Sequence, residues 1–440
     1  MNFIKSYIIL LFNRFFVSFL AILVAVLSAR LLLPEELGSL TTAIAIMGII
    51  IRFGSLGLFQ SAQHFGAKDF PKYEGYLVSL IISLIPIFII VTALGLFLDI
   101  LVINLLSISK DVIYVLTELQ IGLSLMLIHL CLSMYFLGSE QSKKYLIVSI
   151  APVFITFICI LAAFNSTAPF EIVILGWKLQ LILGGLLCLF FVFVELVKNK
   201  SNLKKLKLKI KAIYNYGLKS VLVSSISFLL IRISVVIAAF FSVTQVAIFV
   251  VARSFSEILM LIYGALGATL FSRISRESEN NKAIDLFSIT LKVSNLLFLL
   301  TSFLLAFLAH ILIPLIFGDQ YLDSVNVVYL LLPGIFFNTQ QRLAENFLYG
   351  MGVQTNILYY SIPNLFLISG LLWYLTPIYG AIGMAIATSL SSLFSFICII
   401  YIICKKYERT PKDFFIFNTS DMSIIRSFFN SLREKLSSKI

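Results

Sequence analysis

Long apolar runs separated by short polar turns dominate the chain. Ile81–Ile90 is apolar at nearly every position and lacks the two-residue alternation of a membrane barrel strand. A hydrocarbon core about 30 Å thick takes about 20 apolar residues in helical form. Helices are required there because lipid offers no partner to an open backbone. Broken at charges, prolines and glycine clusters, the pattern predicts twelve spans, at roughly 8–33, 37–59, 76–98, 112–137, 145–164, 171–196, 213–241, 245–271, 287–316, 325–349, 356–375 and 378–403.

Composition agrees. Of 440 residues, 60% are apolar and 12% charged, against roughly 25% charged in soluble domains. So few charges cannot cover the surface of a cytosolic globular protein, and a polytopic membrane protein remains. The net charge of +12 is explained by basic loops on one side of the membrane and requires no nucleic acid. Cys131, Cys159, Cys188, Cys398 and Cys404 lie in or beside apolar runs without a C-x-x-C pair or a histidine cluster. They read as small hydrophobes, with no metal site, cofactor or disulfide framework. A cleavable signal peptide fits poorly, because Arg14 interrupts the first run and the run continues to about Leu33.

Lys and Arg set the orientation. With the N-terminus inside, fourteen of them between Lys68 and Lys282 fall in inner loops, and only Arg30 and Lys110 fall outside. The tail opens with Lys405, Lys406 and Arg409, so both termini are expected on the cytoplasmic side. The chain also repeats weakly. Ser18-Phe19-Leu20 returns as Ser227-Phe228-Leu229, and Gly54-Ser55-Leu56-Gly57 as Gly264-Ala265-Leu266-Gly267, at offsets of 209 and 210. The ordered matches suggest two parallel six-helix lobes, 1–200 and 212–404, joined by a basic linker, 201–211, and followed by a cytoplasmic tail, 405–440. Within the tail, Asp421–Ile440 reads equally as an amphipathic interfacial helix or a frayed end.

The loops exclude several functions. None exceeds about sixteen residues, and the chain has no HExxH, P-loop or GxSxG motif. An enzyme that polymerises polysaccharide needs room for an acceptor, and an ATP-driven pump needs a nucleotide domain. Two lobes with short loops suit a secondary transporter.

Ionisable residues at membrane depth are costly and usually face a cavity. Arg14 falls in span 1, Arg52 in span 2, His129 in span 4, Arg232 in span 7, Arg253 and Glu257 in span 8, and Arg342 and Glu345 in span 10. Thr41, Ala45, Gly48, Arg52 and Ser55 share one stripe of span 2, and small residues beside a charge point to other helices or a lumen. Bland readings stand beside these. Arg14 and Arg52 snorkel to headgroups, Arg253–Glu257 and Arg342–Glu345 are structural ion pairs, and His129 is a core histidine. The sign is the informative part: arginines near the centre outnumber the one central acid, Glu257, so a cavity there attracts an anion. The guanidinium fork matches phosphate.

At these residues the chain resembles a known group. Ala29-Arg30-Leu31-Leu32-Leu33-Pro34-Glu35-Glu36-Leu37-Gly38-Ser39-Leu40 resembles the outer turn between the first two helices of Wzx-type polysaccharide flippases. Leu315-Ile316-Phe317-Gly318-Asp319-Gln320-Tyr321 resembles their turn after helix 9, and Leu348-Tyr349-Gly350-Met351-Gly352 the end of their helix 10. These proteins belong to the multidrug/oligosaccharidyl-lipid/polysaccharide exporter superfamily. The resemblance implies an all-α, MATE-like fold of twelve transmembrane helices in two pseudo-symmetric lobes around a central cavity. It also implies a non-enzymatic transporter that flips an undecaprenyl-diphosphate-linked oligosaccharide, such as an O-antigen repeat unit, across a bacterial inner membrane. The partners implied are this lipid-linked glycan, membrane lipid and other polysaccharide-assembly membrane proteins, with the chain acting as a monomer. Arg14, Arg52, Arg232 and Arg253 are the candidates for the diphosphate, and Glu257 and His129 for ion coupling. Related lipid II flippases usually have fourteen helices, and room for twelve argues against that subfamily. A cation-coupled multidrug antiporter of the same superfamily is the alternative.

Overall fold

A computed structural model describes residues 3–69, 75–105, 109–198, 208–274, 279–351, 353 and 357–416. Among these residues the chain is helical with no strand. The helices are α1 (Phe3–Leu31), α2 (Pro34–Gly54), α3 (Leu58–Asp69), α4 (Tyr76–Leu105), α5 (Lys110–Gly138), α6 (Ser142–Ala163), α7 (Pro169–Lys198), α8 (Ile210–Ala239), α9 (Val243–Ile274), α10 (Asn280–Phe317), α11 (Ser324–Gly350), α12 (Leu358–Tyr407) and the short α13 (Lys412–Phe415). Every anticipated span except 37–59 overlaps one of them. The last two fall in the 50-residue α12, which bends where Gly380 leaves helical geometry at φ 56°, ψ −132°. Nine of the described helices are long and apolar enough to cross a membrane, with α12 counted once. The apolar part of α1, Phe15–Leu31, is shorter, and α11 carries the polar stretch Asn338–Arg342. Most of the anticipated linker and the anticipated tail helix, Asp421–Ile440, lie outside the described residues.

The sequence anticipates one helix over 37–59, but the chain breaks after Gly54. Leu56 and Gly57 take φ values of 48° and 78°, and α3 begins at Leu58 as a separate helix. At its other end, α2 starts with Pro34 at the first helical position, and Glu36 accepts the Leu33 N–H at 2.9 Å. A free backbone donor is thereby satisfied where the chain enters the helix.

The chain divides into two compact units. The first contains Met1–Val251, Leu312–Ser324 and Ser369–Met384. In it α7 packs on α5 and α6, α1 on α6, α3 on α5, and α2 and α3 on α8. The α2–α8 contact runs antiparallel and is tight along its length. A Cβ at Gly38 would lie 1.8 Å from the Val243 carbonyl oxygen at the start of α9, one at Gly48 3.1 Å from the Phe228 ring, and one at Gly57 2.1 Å from the Gly217 carbonyl oxygen. The first unit also joins two of the stretches that carry the family resemblance. Arg30 Nε donates to the Ile316 carbonyl at 2.8 Å, and its Nη2 donates to that of Leu315. Gln320 Nε2 donates to the Ala29 and Leu32 carbonyls at 2.8 and 3.0 Å. Each segment therefore satisfies carbonyls left over at the end of the other's helix.

The second unit contains Ala252–Ile311, Val325–Ile368 and Ala385–Ile440. Its core packs Leu270 and Ile274 of α9, Phe287 and Leu291 of α10, Phe347 of α11 and Ile399 of α12. The helix α13 closes onto this core. Phe414 is fully buried with its ring 5.4 Å from that of Phe287, Ser288 Oγ donates to the Asp413 carbonyl at 2.5 Å, and Arg409 pairs with Asp285 at 3.0 Å.

Candidate substrate-binding site

The α2–α8 contact brings two of the four candidate arginines together. Arg52, in the last turn of α2, lies 5.9 Å from the centre of the Phe228 ring, and Arg232, one helical turn beyond Phe228 on α8, lies 5.8 Å from it. Arg52 also lies 5.5 Å from the Phe59 ring of α3. Each cation is attracted by the negative ring face, so the shared phenyl holds two positive groups near each other despite their repulsion. With the Gln60 amide nitrogen toward the Gly57 carbonyl (3.2 Å), its oxygen accepts from Ser224 Oγ at 2.8 Å and from Arg52 Nη2 at 3.3 Å. Arg52 Nε is buried with no acceptor, and no described carboxylate lies within ion-pair distance of Arg52. The Arg52 guanidinium is thus half-buried and held by ring faces and one amide, with no described counter-charge beside it. The break at Gly57 makes this possible, because it turns α3 so that Phe59 and Gln60 face Arg52. Beside it on α3, the His64 ring stacks on Tyr216 of α8 at 4.2 Å. Burial, and then Lys68, lower the pKa of His64 from its ordinary value.

The other candidates are placed differently. The side chain of Arg14 lies outside the described residues, although its backbone belongs to α1. Arg253 is in the second unit, where its Nε donates to Glu257 Oε1 at 2.7 Å within α9, so the pair compensates its own charge. His129 of α5 lies against α7, where a Cβ at Gly184 would come within 2.8 Å of its Nδ1 and Cys188 Sγ is 3.8 Å away. The anticipated Arg342–Glu345 pair does not form. Arg342 Nε donates to Asn338 Oδ1 at 3.0 Å, one turn back, and Glu345 turns to Tyr360 of α12.

Sequence reasoning missed several buried charges. Glu195 of α7 is buried between Lys144 Nζ (2.8 Å) and Gln141 Nε2 (2.9 Å), both near the start of α6. Lys292 of α10 is also buried. Both sit near the end of an apolar run, where a lone charge reads as a boundary. For Glu195 the signal is its alignment with partners on another element, which needs the fold. Lys178 pairs with Glu118 across α7 and α5 at 3.0 Å.

The family model described as lipid II flippase MurJ matches residues 64–432. No curated protein sequence matches the chain. Among solved structures, a lipid II flippase MurJ in an inward closed conformation is 17% identical with a TM-score of 0.72, covering 93% of this chain and 89% of that one. An inward-facing multidrug resistance MATE transporter of the MOP superfamily is 14% identical with a TM-score of 0.70, over 89% and 96%. A MOP superfamily transporter from Pyrococcus furiosus, described as having a binding pocket of reverse polarity, is 15% identical with a TM-score of 0.61, over 92% and 96%. At these identities the structures establish the fold, a polytopic MATE-like helical bundle.

Proposed function

The chain belongs to the lipid II flippase MurJ family, whose members are transporters and not enzymes, and from that premise we propose that it flips a polyprenyl-diphosphate-linked saccharide across a bacterial inner membrane by alternating access. Membership overturns the expectation that room for only twelve helices argues against this family, since the match runs from α3 past the end of α12. The number of spans does not decide the subfamily.

The observation that carries the reading is the Arg52–Phe228–Arg232 cluster with its buried, acceptor-less Nε. A diphosphate supplies acceptor oxygens and the counter-charge together. In the proposed mechanism the diphosphate leaves water for these guanidiniums, while the polyprenyl tail stays in lipid. Uncatalysed flipping is slow because a charged, hydroxylated headgroup must shed its water. Arg14 and Arg253 are proposed as further substrate-binding residues on their charge alone. Glu257 is engaged by Arg253 and His129 lies against α7, so the proposal gives neither the coupling ion. The basic loops favour cytoplasmic termini. The saccharide proposed is a surface-polysaccharide repeat unit, on the motifs Ala29–Leu40 and Leu315–Tyr321. Lipid II is the second reading, favoured by the family match. The two-lobe division at 200 and 212 is part of the same proposal.

Binding of a short-chain polyprenyl diphosphate to the purified protein tests the site. Arg52→Ala and Arg232→Ala should each weaken binding about tenfold or more, the loss expected for a charge-assisted hydrogen bond worth roughly 1.5–3 kcal/mol. Unchanged affinity in both variants would remove the site.

A further inference from the structure

The seam between α3 and α8 carries a feature beyond the arginines. Ser61 Oγ donates to the Ile213 carbonyl at 2.7 Å, and a Cβ at Gly217 would lie 2.7 Å from the Leu56 carbonyl oxygen, so the two helices are held at close range here. Beside that contact the His64 and Tyr216 rings stack, 9° from parallel and 4.2 Å apart. Phe65 stands steeply to both, with its centre 5.0 Å from that of His64 and 5.7 Å from that of Tyr216. The three distances close an acute triangle, so Phe65 lies beside the pair and not over either end. Phe65 is itself buried and stacked on Tyr76 of α4 at 4.6 Å. The outer face of Tyr216 is therefore left open by its ring neighbours, and the residue is 38% exposed. Among the described residues no hydrogen bond reaches the Tyr216 hydroxyl or the His64 ring nitrogens.

This stack continues the arginine cluster. Gln60, which bonds both Arg52 and Ser224, is one turn from His64 on α3, about 6 Å along the axis. Guanidinium, amide and stacked rings thus follow one another along the seam. A ring face is negative and attracts the C–H bonds of a second ring laid on it, while the hydroxyl and imidazole offer hydrogen bonds at the rim. A pyranose with equatorial hydroxyls matches this surface, because its ring faces carry C–H groups and its edge carries the hydroxyls. A hydrocarbon tail needs no polar rim, and a tyrosine that only marks the membrane interface needs no stacked partner. We propose that Tyr216, held by His64, is a saccharide subsite of this transporter, and that it takes a pyranose with equatorial hydroxyls linked to the diphosphate. The sugar stacks on the open face of Tyr216 while Arg52 and Arg232 hold the phosphates. The subsite rests on the flippase reading of the arginines and adds to it a preference for glycosylated lipid.

Affinities of the purified protein for two probes, a short-chain polyprenyl diphosphate and the same lipid carrying glucose, test the subsite. The wild type should bind the glucosylated lipid more tightly by roughly threefold or more. Tyr216→Leu keeps an apolar side chain without a ring and should bring the ratio of the two affinities to unity. Tyr216→Phe keeps the stacking face and should keep most of the preference. His64→Leu withdraws the supporting ring and should lower the ratio as well. Arg52→Ala should instead weaken binding of both lipids. Equal affinities in the wild type, or a ratio unchanged in Tyr216→Leu and His64→Leu, would overturn the subsite and leave the arginine site standing. A wild type that binds neither probe would remove both.

Discussion

Arg52 shows what a single side chain contributes that its charge alone does not. Its planar group lies against two rings and reaches Gln60 through Nη2, leaving Nε without an acceptor. A lysine keeps the positive charge but has neither the plane nor the fork. Arg52→Lys should therefore preserve protein level and lower flipping about tenfold or more, close to the loss in Arg52→Ala. Flipping within twofold of wild type would mean that charge alone suffices. Arg52 and Arg232 were legible in the sequence because an arginine inside an apolar run is conspicuous. Their shared phenyl ring was not, since Phe228 is one of 41 phenylalanines. The Arg342–Glu345 expectation failed for a related reason. The spacing permits a pair, but Asn338 and Tyr360 compete for the two groups, and Tyr360 belongs to another helix.

Among the elements, the break between α2 and α3 matters most to the site. It aims Phe59 and Gln60 at Arg52, and it lets Gly57 meet Gly217 backbone to backbone. Gly57→Ala would place a Cβ 2.1 Å from the Gly217 carbonyl oxygen and force a side chain into φ 78°. We expect thermal unfolding in detergent to show a loss above about 2 kcal/mol, because strain and overlap add. A change below about 0.5 kcal/mol would show that the contact relaxes freely. Sequence reasoning extended span 2 through this break because Leu56, Leu58 and Phe59 continue the apolar run. Its repeat partner misleads as well: Gly264–Gly267 lies inside the unbroken α9, where Gly267 faces Asn346. The break at Gly380 was legible as two adjacent runs, which the non-helical backbone there separates. Apolar run length predicts where a chain can cross lipid, and it says little about where a helix must turn for a neighbour.

For the whole molecule, the twelve runs were the most legible feature, because lipid admits so few backbone solutions. The cytoplasmic face follows from the lysines and arginines in the same way, as an expectation of charge placement. Substrate is a different matter. The diphosphate is read from guanidinium chemistry, whereas a saccharide is recognised by neutral hydrogen bonds that any serine- or asparagine-bearing helix can offer. Transport itself therefore tests the flippase function. Proteoliposomes holding the purified chain would receive fluorescent polyprenyl-diphosphate-linked saccharides, one a surface repeat unit and one lipid II, and a membrane-impermeant quencher would read their exposure. The wild type should move at least one of them across the bilayer, and the Arg52→Ala, Arg232→Ala double variant should move neither. Equal movement by wild type, double variant and empty vesicles, or movement by the double variant at the wild-type rate, would contradict it.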